Sequence, residues 1–595
     1  MRINRALLLL LTVALLVTLT VSMVSAQMME VPREDTVIFD VDGSNPTNPN
    51  PFNHNIFFGH SLGAAGGNTG TGQSVYEPLF ILNYETGVIQ PWLGESFVAD
   101  ESQTVWTLTL RDGAYWQDGE AVTADDFVFT LQMLLDDETA RLYRAGAFQD
   151  WVSGVEKIDD LTAQVTLNRP NPRFQLDFFS VRIGGSFQVV PEHIWSMVEN
   201  VYEFSNFDLE KGYPLGSGPY KMVSASENEF VYDRDDNWWG AATGTFPLPQ
   251  PQRLIWVQTG NDDIRSLLTI NNELDSVMDI TLGAFEAIQN QNDKVIAWQA
   301  GMPFAWLDPC PRRISVNHAV EPWGSADMRW ALNHATSRND VVRIAYEGTT
   351  IPSQSMFVEY GGIIDPYINR LAELGMTMNF DADVAAAQAL IEGAGYTMND
   401  AGIYEKDGQE LAIDIQTHEG FIEKRRIAEN VVEQWRAAGI AATQTNVAGG
   451  SWNDNKALGN FEATGDWDQC GSVNEPWASM DRDNGKWYAP VGERVVGNNL
   501  LNRWQGEGNA RYSELVDQIG VLPLGDPAIL PLFEEAYEIW YNELVSLPIT
   551  QAKKLIPFNT TYWEGWPTAE NNFNHPATWW HSTHQIIQNL RKAGS

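Results

Sequence analysis

Nothing limits this chain more than its length once exported. Arg2 and Arg5 open the sequence, Ala6 to Val21 is almost wholly apolar, and Val24-Ser25-Ala26 puts small residues where a signal peptidase cuts. Residues 1–26 therefore read as a secretory signal cleaved before Gln27. The apolar run also approaches the roughly 17 to 25 residues that span a bilayer, so an uncleaved anchor is the alternative. Cleavage leaves 569 of the 595 residues, well beyond the roughly 250 to 300 over which one hydrophobic core grows. Two or three domains are expected, exported to the periplasm or to the outer face of the cytoplasmic membrane. No Cys lies near the cut, which rules out lipid anchoring through a new terminal Cys.

Charge narrows the partners. Removing the signal removes two arginines and no acid, taking the formal charge from −41 to −43. Such a surface repels phosphate backbones and anionic lipid heads, so neither nucleic acid nor a membrane surface is an expected partner. Its ordinary role is solubility. Cys310 and Cys470 are the two cysteines, too few for a disulfide scaffold. They can pair after export or remain as buried thiols. Gly, Pro and Asn cluster at Gly43–Gly72, Lys211–Pro219, Gly240–Pro251 and Pro523–Pro527, which read as loops or domain crossings. Strand and helix signals alternate between them, favouring α/β domains.

The stretch from Val105 to Leu135 is the most explicit. Trp106, Leu108 and Leu110 recur at period two and predict a half-buried strand. Asp112-Gly113 and Asp118-Gly119 supply two tight turns. Thr123 then caps a helix with Asp126 at its third position and Phe127, Leu131, Leu134 and Leu135 at helical spacing. Further on, Asp381 or Asp383 caps a helix carrying Val384, Ala387 and Ile391 that should stop near Gly393 and Gly395. Ile427, Val431, Trp435 and Ala438 share another helical face before Gly439.

Trp106-Thr107-Leu108-Thr109-Leu110-Arg111-Asp112-Gly113, followed by Asp118-Gly119 and Val122-Thr123-Ala124-Asp125-Asp126, closely resembles the signature of family-5 extracellular solute-binding proteins, the oligopeptide-binding class. Tyr76-Glu77-Pro78-Leu79 with Pro91-Trp92-Leu93, Gly216-Ser217-Gly218-Pro219-Tyr220, Arg329-Trp330-Ala331-Leu332 with Ser337-Arg338, and Ala387-Gln388-Ala389-Leu390-Ile391 with Ala394-Gly395-Tyr396 resemble other parts of that family in the right order. The resemblance implies an α/β, two-lobed periplasmic-binding-protein-like fold with an extra domain, hinged around an interlobe cleft. By that analogy domain I is discontinuous (34–77, 216–302 and 543–595), domain II is 78–215 and domain III is 303–542. It further implies a monomeric receptor that closes on its ligand and delivers it to the permease and ATPase of an ABC transporter, with no cofactor and no catalysis.

The resemblance also locates a ligand strand. Peptide binders of the family have a stretch like Cys-Ala-Asp-Tyr-x-x-Pro, whose carboxylate pairs with the peptide's α-amino group. Here the matching stretch is Cys470-Gly471-Ser472-Val473-Asn474-Glu475-Pro476. Ser472 stands at the acid's position, and a hydroxyl cannot form the charge-assisted bond that holds a buried ammonium. A register three residues later gives that role to Glu475. The chain contains 23 Trp, with Trp452, Trp467 and Trp477 crowded around this stretch, and indole faces suit stacking under sugar rings as well as a core. The expected ligand is an oligosaccharide or an oligopeptide, with the balance toward sugar. The expected contacts are Ser472 and Asn474 for polar groups, Cys470 for backbone pairing, and Trp452, Trp467 and Trp477 for stacking.

Two other chemistries are weaker. Gly59-His60-Ser61-Leu62-Gly63 matches the nucleophile elbow of a serine esterase, but the glycines that follow Ser61 make a poor helix. His581 and His584 share a helical spacing without a third metal ligand, and read as a solvent-facing or terminal pair.

Overall fold

In a computed structural model of the chain, the described residues are 30–41, 50–58, 68–183, 186–359, 364–467, 470–473, 475–495 and 499–594. The signal segment, Ser61 and Asn474 lie outside them.

The first lobe is built around two four-stranded sheets. Strand β1 (Thr36–Val41) edges a sheet whose other members come much later in the chain. Between them stands an antiparallel sheet of β2 (Gly94–Ala99), β3 (Val105–Leu110), β4 (Val152–Lys157) and β5 (Thr162–Leu167), ordered β2-β3-β5-β4. In β3 the side chains of Trp106, Leu108 and Leu110 are buried while their neighbours are half-buried, the alternation expected from the sequence. Helix α1 (Ala124–Leu135) follows β3; the Thr123 N–H donates to Asp126 Oδ2 at 2.8 Å, and Phe127, Leu131 and Leu134 are buried. Leu135, placed on the same face by its spacing, is only half-buried.

Strands β6 (Tyr220–Ala225), β7 (Glu229–Arg234) and β8 (Arg253–Gln258) complete the first sheet in the order β1-β8-β7-β6, with β1 and β8 parallel. The chain returns to this sheet through Gly216-Ser217-Gly218, pressed against the segment by which it left. The Gly218 N–H donates to the Val75 carbonyl at 2.8 Å, and a Cβ on Gly218 would fall 2.3 Å from the Ser74 carbonyl oxygen. Only glycine permits that approach. One apolar core underlies both sheets, from Val37, Leu108 and Phe127 to Trp256 and the carboxyl-terminal Trp563 and Ile586.

The second lobe is built around β9 (Trp306–Val316), α2 (Val384–Gly393), β10 (Ala412–His418), α3 (Ile422–Ala437), β11 (Ala441–Val447), α4 (Gly449–Leu458), β12 (Ala463–Asp466), α5 (Trp477–Met480), α6 (Glu507–Gly520) and β13 (Leu547–Lys554). Its sheet runs β11-β10-β12-β9-β13. Strands β10 and β11 are parallel, and α3 supplies the crossover such a pair requires. Asp383 caps α2 by accepting from the Ala386 N–H at 3.0 Å. Ile427, Val431, Trp435 and Ala438 are all buried on the α3 side, and the turn after them uses Gly439 at φ +94°. This lobe has its own core, including Ile314, Ile415, Trp435, Tyr512 and Trp540.

Two strands join the lobes. Trp306, at the start of β9, packs in the first core, whereas Ile314 and Val316, at its end, pack in the second. Strand β13 goes the other way, from Leu547 and Ile549 in the second core toward Ile556 in the first. They pair antiparallel from Trp306↔Lys554 to Ile314↔Leu547, with a break in register between Asp308 and Arg312. Pro309 and Pro311 fall inside that break, and a proline has no N–H to give a ladder. Cys310 lies between them and forms a disulfide with Cys470, 160 residues away. The sequence left pairing and free thiols both open; the fold brings the two sulfurs together.

Candidate ligand cleft

The lobes face one another beside the crossing strands, and an ionic cluster lies at that junction. Lys554 of β13 donates to Asp279 Oδ2 of the first lobe at 2.9 Å and to Glu423 Oε2 of the second at 3.1 Å. The Arg312 Nε donates to Glu423 Oε1 at 2.7 Å, and the Tyr346 hydroxyl donates to the same oxygen at 2.5 Å. Burial opposes ionisation of Glu423, but Arg312 and Lys554 overcome it and hold the carboxyl well below its usual range. Burial raises Asp308 despite Arg312 and Lys554, and raises Asp279 despite Lys554. On the first lobe Arg182 pairs with Asp177 at 2.6 Å. Arg144 donates to the Asp177 and Phe178 carbonyls.

Aromatic rings form the adjoining wall. Tyr84 lies 5.0 Å from His575, 6.2 Å from Trp580 and 6.4 Å from Trp306, the last nearly parallel. Trp306 and Trp580 are 5.8 Å apart, edge to face. Tyr84 is half-buried, yet its surroundings push its phenol pKa well above the ordinary value, chiefly through burial; Arg182 and Asp308 also act on it with opposite signs. The ring therefore sits where the first lobe meets the crossing strand. His575 accepts at Nδ1 from the Ala577 N–H (3.2 Å), which puts its proton on Nε2, 2.7 Å from Ser582 Oγ. That tautomer donates to the serine and is the wrong one to deprotonate it. Burial lowers the His575 pKa to about 3.

The residues singled out from sequence form two groups. Trp452 of α4 is buried, with its N–H on Thr464 Oγ1 at 3.1 Å. Trp467 lies just past β12 and is partly exposed. The Lys424 ammonium lies 2.9 Å from the Trp467 ring centroid and 4.3 Å from that of Trp452, Lys456 lies 4.0 Å from Trp452, and Phe421 packs edge-on at 4.8 Å from Trp467. Lysines of the same lobe thus cover much of the indole surface expected to stack on a ligand.

The second group surrounds the disulfide. Cys470 is in a turn, not a strand: β12 ends at Asp466, and the Cys470 carbonyl accepts from Arg482 Nε at 2.9 Å. The expectation of strand-like backbone pairing at Cys470 is corrected accordingly. Ser472 is fully buried; its hydroxyl donates to the Pro476 carbonyl at 2.8 Å and accepts from the Ser479 N–H at 2.9 Å. Glu475 accepts from the Trp477 and Ala478 N–H groups and lies 3.1 Å from Arg173 Nε. Trp477 packs against Gly520, where a Cβ would fall 2.6 Å from its indole nitrogen. His584, expected on the surface, is instead buried with Nε2 3.0 Å from the Tyr76 carbonyl oxygen, and burial lowers its pKa to about 4. No cluster of metal-ligating side chains occurs among the described residues.

Residues 88–486, more than half the chain, match the model of bacterial extracellular solute-binding proteins, family 5. The chain belongs to that family. This family-5 protein is 27% identical to the nickel-binding periplasmic protein of Escherichia coli over 395 residues, 64% of this chain and 65% of that relative, so it spans just under two thirds of it. It is 23% identical to the periplasmic oligopeptide-binding protein OppA of Salmonella typhimurium over 502 residues, 78% and 82% of the two chains. In fold it is similar to a periplasmic oligopeptide-binding protein of an ABC transporter from Thermotoga maritima, solved with mannohexaose bound, at a TM-score of 0.79 and 21% identity over 95% of this chain and 100% of that one. The two-lobed α/β architecture implied by the family resemblance is thus the architecture of this family-5 protein. Sequence reasoning missed Tyr84, Trp306, Trp580 and Arg173, which are scattered over the whole chain. One signal was present for Arg173: Pro170-Asn171-Pro172-Arg173-Phe174 stiffens the backbone on either side of Asn171.

Proposed function

We propose that this chain is the extracytoplasmic receptor of an ABC importer, binding a neutral oligosaccharide in its interlobe cleft and releasing it chemically unchanged. One observation carries the ligand class. The charged side chains described at the junction are paired within the protein (Arg182 with Asp177, Lys554 with Asp279 and Glu423, Arg312 with Glu423), while Tyr84, Trp306 and Trp580 converge as an aromatic wall. A ligand with its own charges would have to break one of those pairs, which is unfavourable in a desolvated cleft. A polyhydroxylated, uncharged ring stacks on aromatic faces and leaves the pairs intact. The mannohexaose held by the Thermotoga maritima neighbour supports the same class. We assign stacking to the half-buried Tyr84, with the buried Trp306 and Trp580 holding its ring in place. Trp452, Ser472 and Trp477 serve mainly to shape the wall behind them. The three-domain division implied by the family resemblance remains our reading of the domain boundaries.

The test is a tryptophan-fluorescence titration with manno-, cello- and xylo-oligosaccharides and with short peptides, followed by mass spectrometry of the recovered ligand. Saturable quenching by a sugar recovered intact is expected. A response confined to peptides refutes the ligand class, and a hydrolysed ligand refutes the receptor role.

A further inference from the structure

One buried cation joins the lobes without belonging to the aromatic wall or the junction cluster. Arg173 projects from the first lobe, on a segment held between Pro170 and Pro172 and anchored by Phe174, which packs among Phe97, Trp106 and Phe179 of the first core. Its own N–H donates to Asn171 Oδ1 at 2.9 Å, fixing the turn that aims it. The side chain is fully buried, but its partners belong to the second lobe. Nη1 donates to the carbonyls of Ile519 (3.2 Å), Gly520 (3.0 Å) and Leu522 (3.0 Å), and Nε lies 3.1 Å from Glu475 Oε2.

These partners form a receiving site. Ile519 and Gly520 end α6, where the last carbonyls of a helix have no partner within it and carry the negative end of its dipole. Glu475 adds a full negative charge held in place by the Trp477 and Ala478 N–H groups. The Trp477 ring, 5.5 Å from the guanidinium, closes one side and reaches its place because Gly520 has no side chain. Here a guanidinium from one lobe caps a helix of the other.

We propose that Arg173 is a latch: a positioning residue that stabilises the closed arrangement of the lobes and slows ligand release without touching the ligand. If the lobes part, Arg173 and the helix end both regain water. In the closed form the guanidinium, the helix-end carbonyls and Glu475 meet one another, so loss of the arginine alone leaves a carboxylate and carbonyls buried without their cation and disfavours closure whatever occupies the cleft. A Lys at this position keeps the charge but, as a compact ammonium, lacks the planar fork that reaches several carbonyls and a carboxylate together. This inference rests on the receptor reading for its biological sense, but not for its test.

The test starts without ligand. Small-angle X-ray scattering of the ligand-free full chain is compared for wild type, Arg173→Met, Arg173→Lys, Glu475→Gln and Gly520→Ala. Arg173→Met, which leaves Glu475 unpaired in the closed form, is expected to shift the profile toward the open, larger particle. Arg173→Lys and Glu475→Gln fall between it and wild type. Gly520→Ala, which pushes Trp477 of the same lobe out of its place beside the Arg173 guanidinium, shifts the profile in the same direction and carries the test should Arg173→Met fail to fold. With mannohexaose as the probe, the dissociation rate of Arg173→Met rises at least about tenfold, while its association rate is unchanged, a split that simple loss of stability does not produce. Ligand-free profiles identical across the folded variants overturn the latch. A wild type that ignores mannohexaose counts against the sugar reading alone, because the ligand-free comparison still decides the latch.

Discussion

Glu77 offers the sharpest test of how this interior is built. Its carboxyl is buried beneath the crossing between the two sheets of the first lobe, accepting from the indole N–H of Trp92 at 2.9 Å and of Trp239 at 2.7 Å. Burial raises its pKa from 4.5 to about 7, more than the indole and Ser217 hydrogen bonds lower it. Below pH 4.5 the folded and unfolded chains both hold the proton. Between 4.5 and 7 the unfolded chain releases it while the folded chain keeps it, so stability falls as pH rises and stays lost above pH 7. The shift is worth about 3 kcal/mol, from about 1.4 kcal/mol per pH unit. In Glu77→Gln the group no longer titrates, so this slope disappears. Asp275, raised by burial to about 6 despite its Arg33 partner, adds a slope of the same sign in both proteins and cancels in the comparison. The assay is urea unfolding of wild type and Glu77→Gln at half-unit steps from pH 4.5 to 8, followed by near-ultraviolet signals from the tryptophans. The difference between the two should drift by about 3 kcal/mol in favour of the variant as pH rises. A difference that stays constant across the window refutes the assignment of a protonated Glu77 to the folded chain.

Three further outcomes are expected. Replacing both Cys310 and Cys470 with Ala lowers stability by about 2–4 kcal/mol, and wild type in reductant should match the variant in the same denaturation assay. Gly218→Ala forces a Cβ toward the Ser74 carbonyl oxygen and destabilises by about 1–3 kcal/mol, read as a lower urea midpoint with far-ultraviolet dichroism otherwise unchanged. Trp306→Ala removes part of the aromatic wall and weakens mannohexaose binding at least about tenfold in a calorimetric titration, whereas Trp452→Phe, behind the wall, changes it much less.

Local rules carried the sequence reading far where structure is local. The alternation of Trp106, Leu108 and Leu110, the Thr123 cap, the Asp383 cap and the Gly439 stop each depend on a few neighbouring residues, and each is present in the fold. The site was less legible because its parts are joined only by the tertiary fold. Tyr84 and Trp580 are separated by most of the chain, and no periodicity links them. Of the three tryptophans expected together, Trp452 and Trp467 pack against each other while Trp477 sits apart beside Arg173 and Gly520, and the spacing of Lys424 on α3 gave no sign that its ammonium would cover the first two. Cys310 and Cys470 posed the same problem, since two cysteines 160 residues apart pair or stay apart according to a fold that neither determines locally. Even the motif that located the ligand stretch misled at Cys470, which lies in a turn four residues beyond the end of β12.

The disulfide has a mechanical consequence. From Cys310 onward, β9 is tied covalently to the second lobe and held again by Arg312 on Glu423, whereas Trp306, four residues earlier, is packed in the first core. Any swing of one half against the other must therefore bend at Leu307 to Pro309 and at the facing stretch around Lys554, a pivot barely one strand-width across. A rotation at that crossing opens the rim in proportion to the rim's distance from it, so the residues farthest from the two strands travel most.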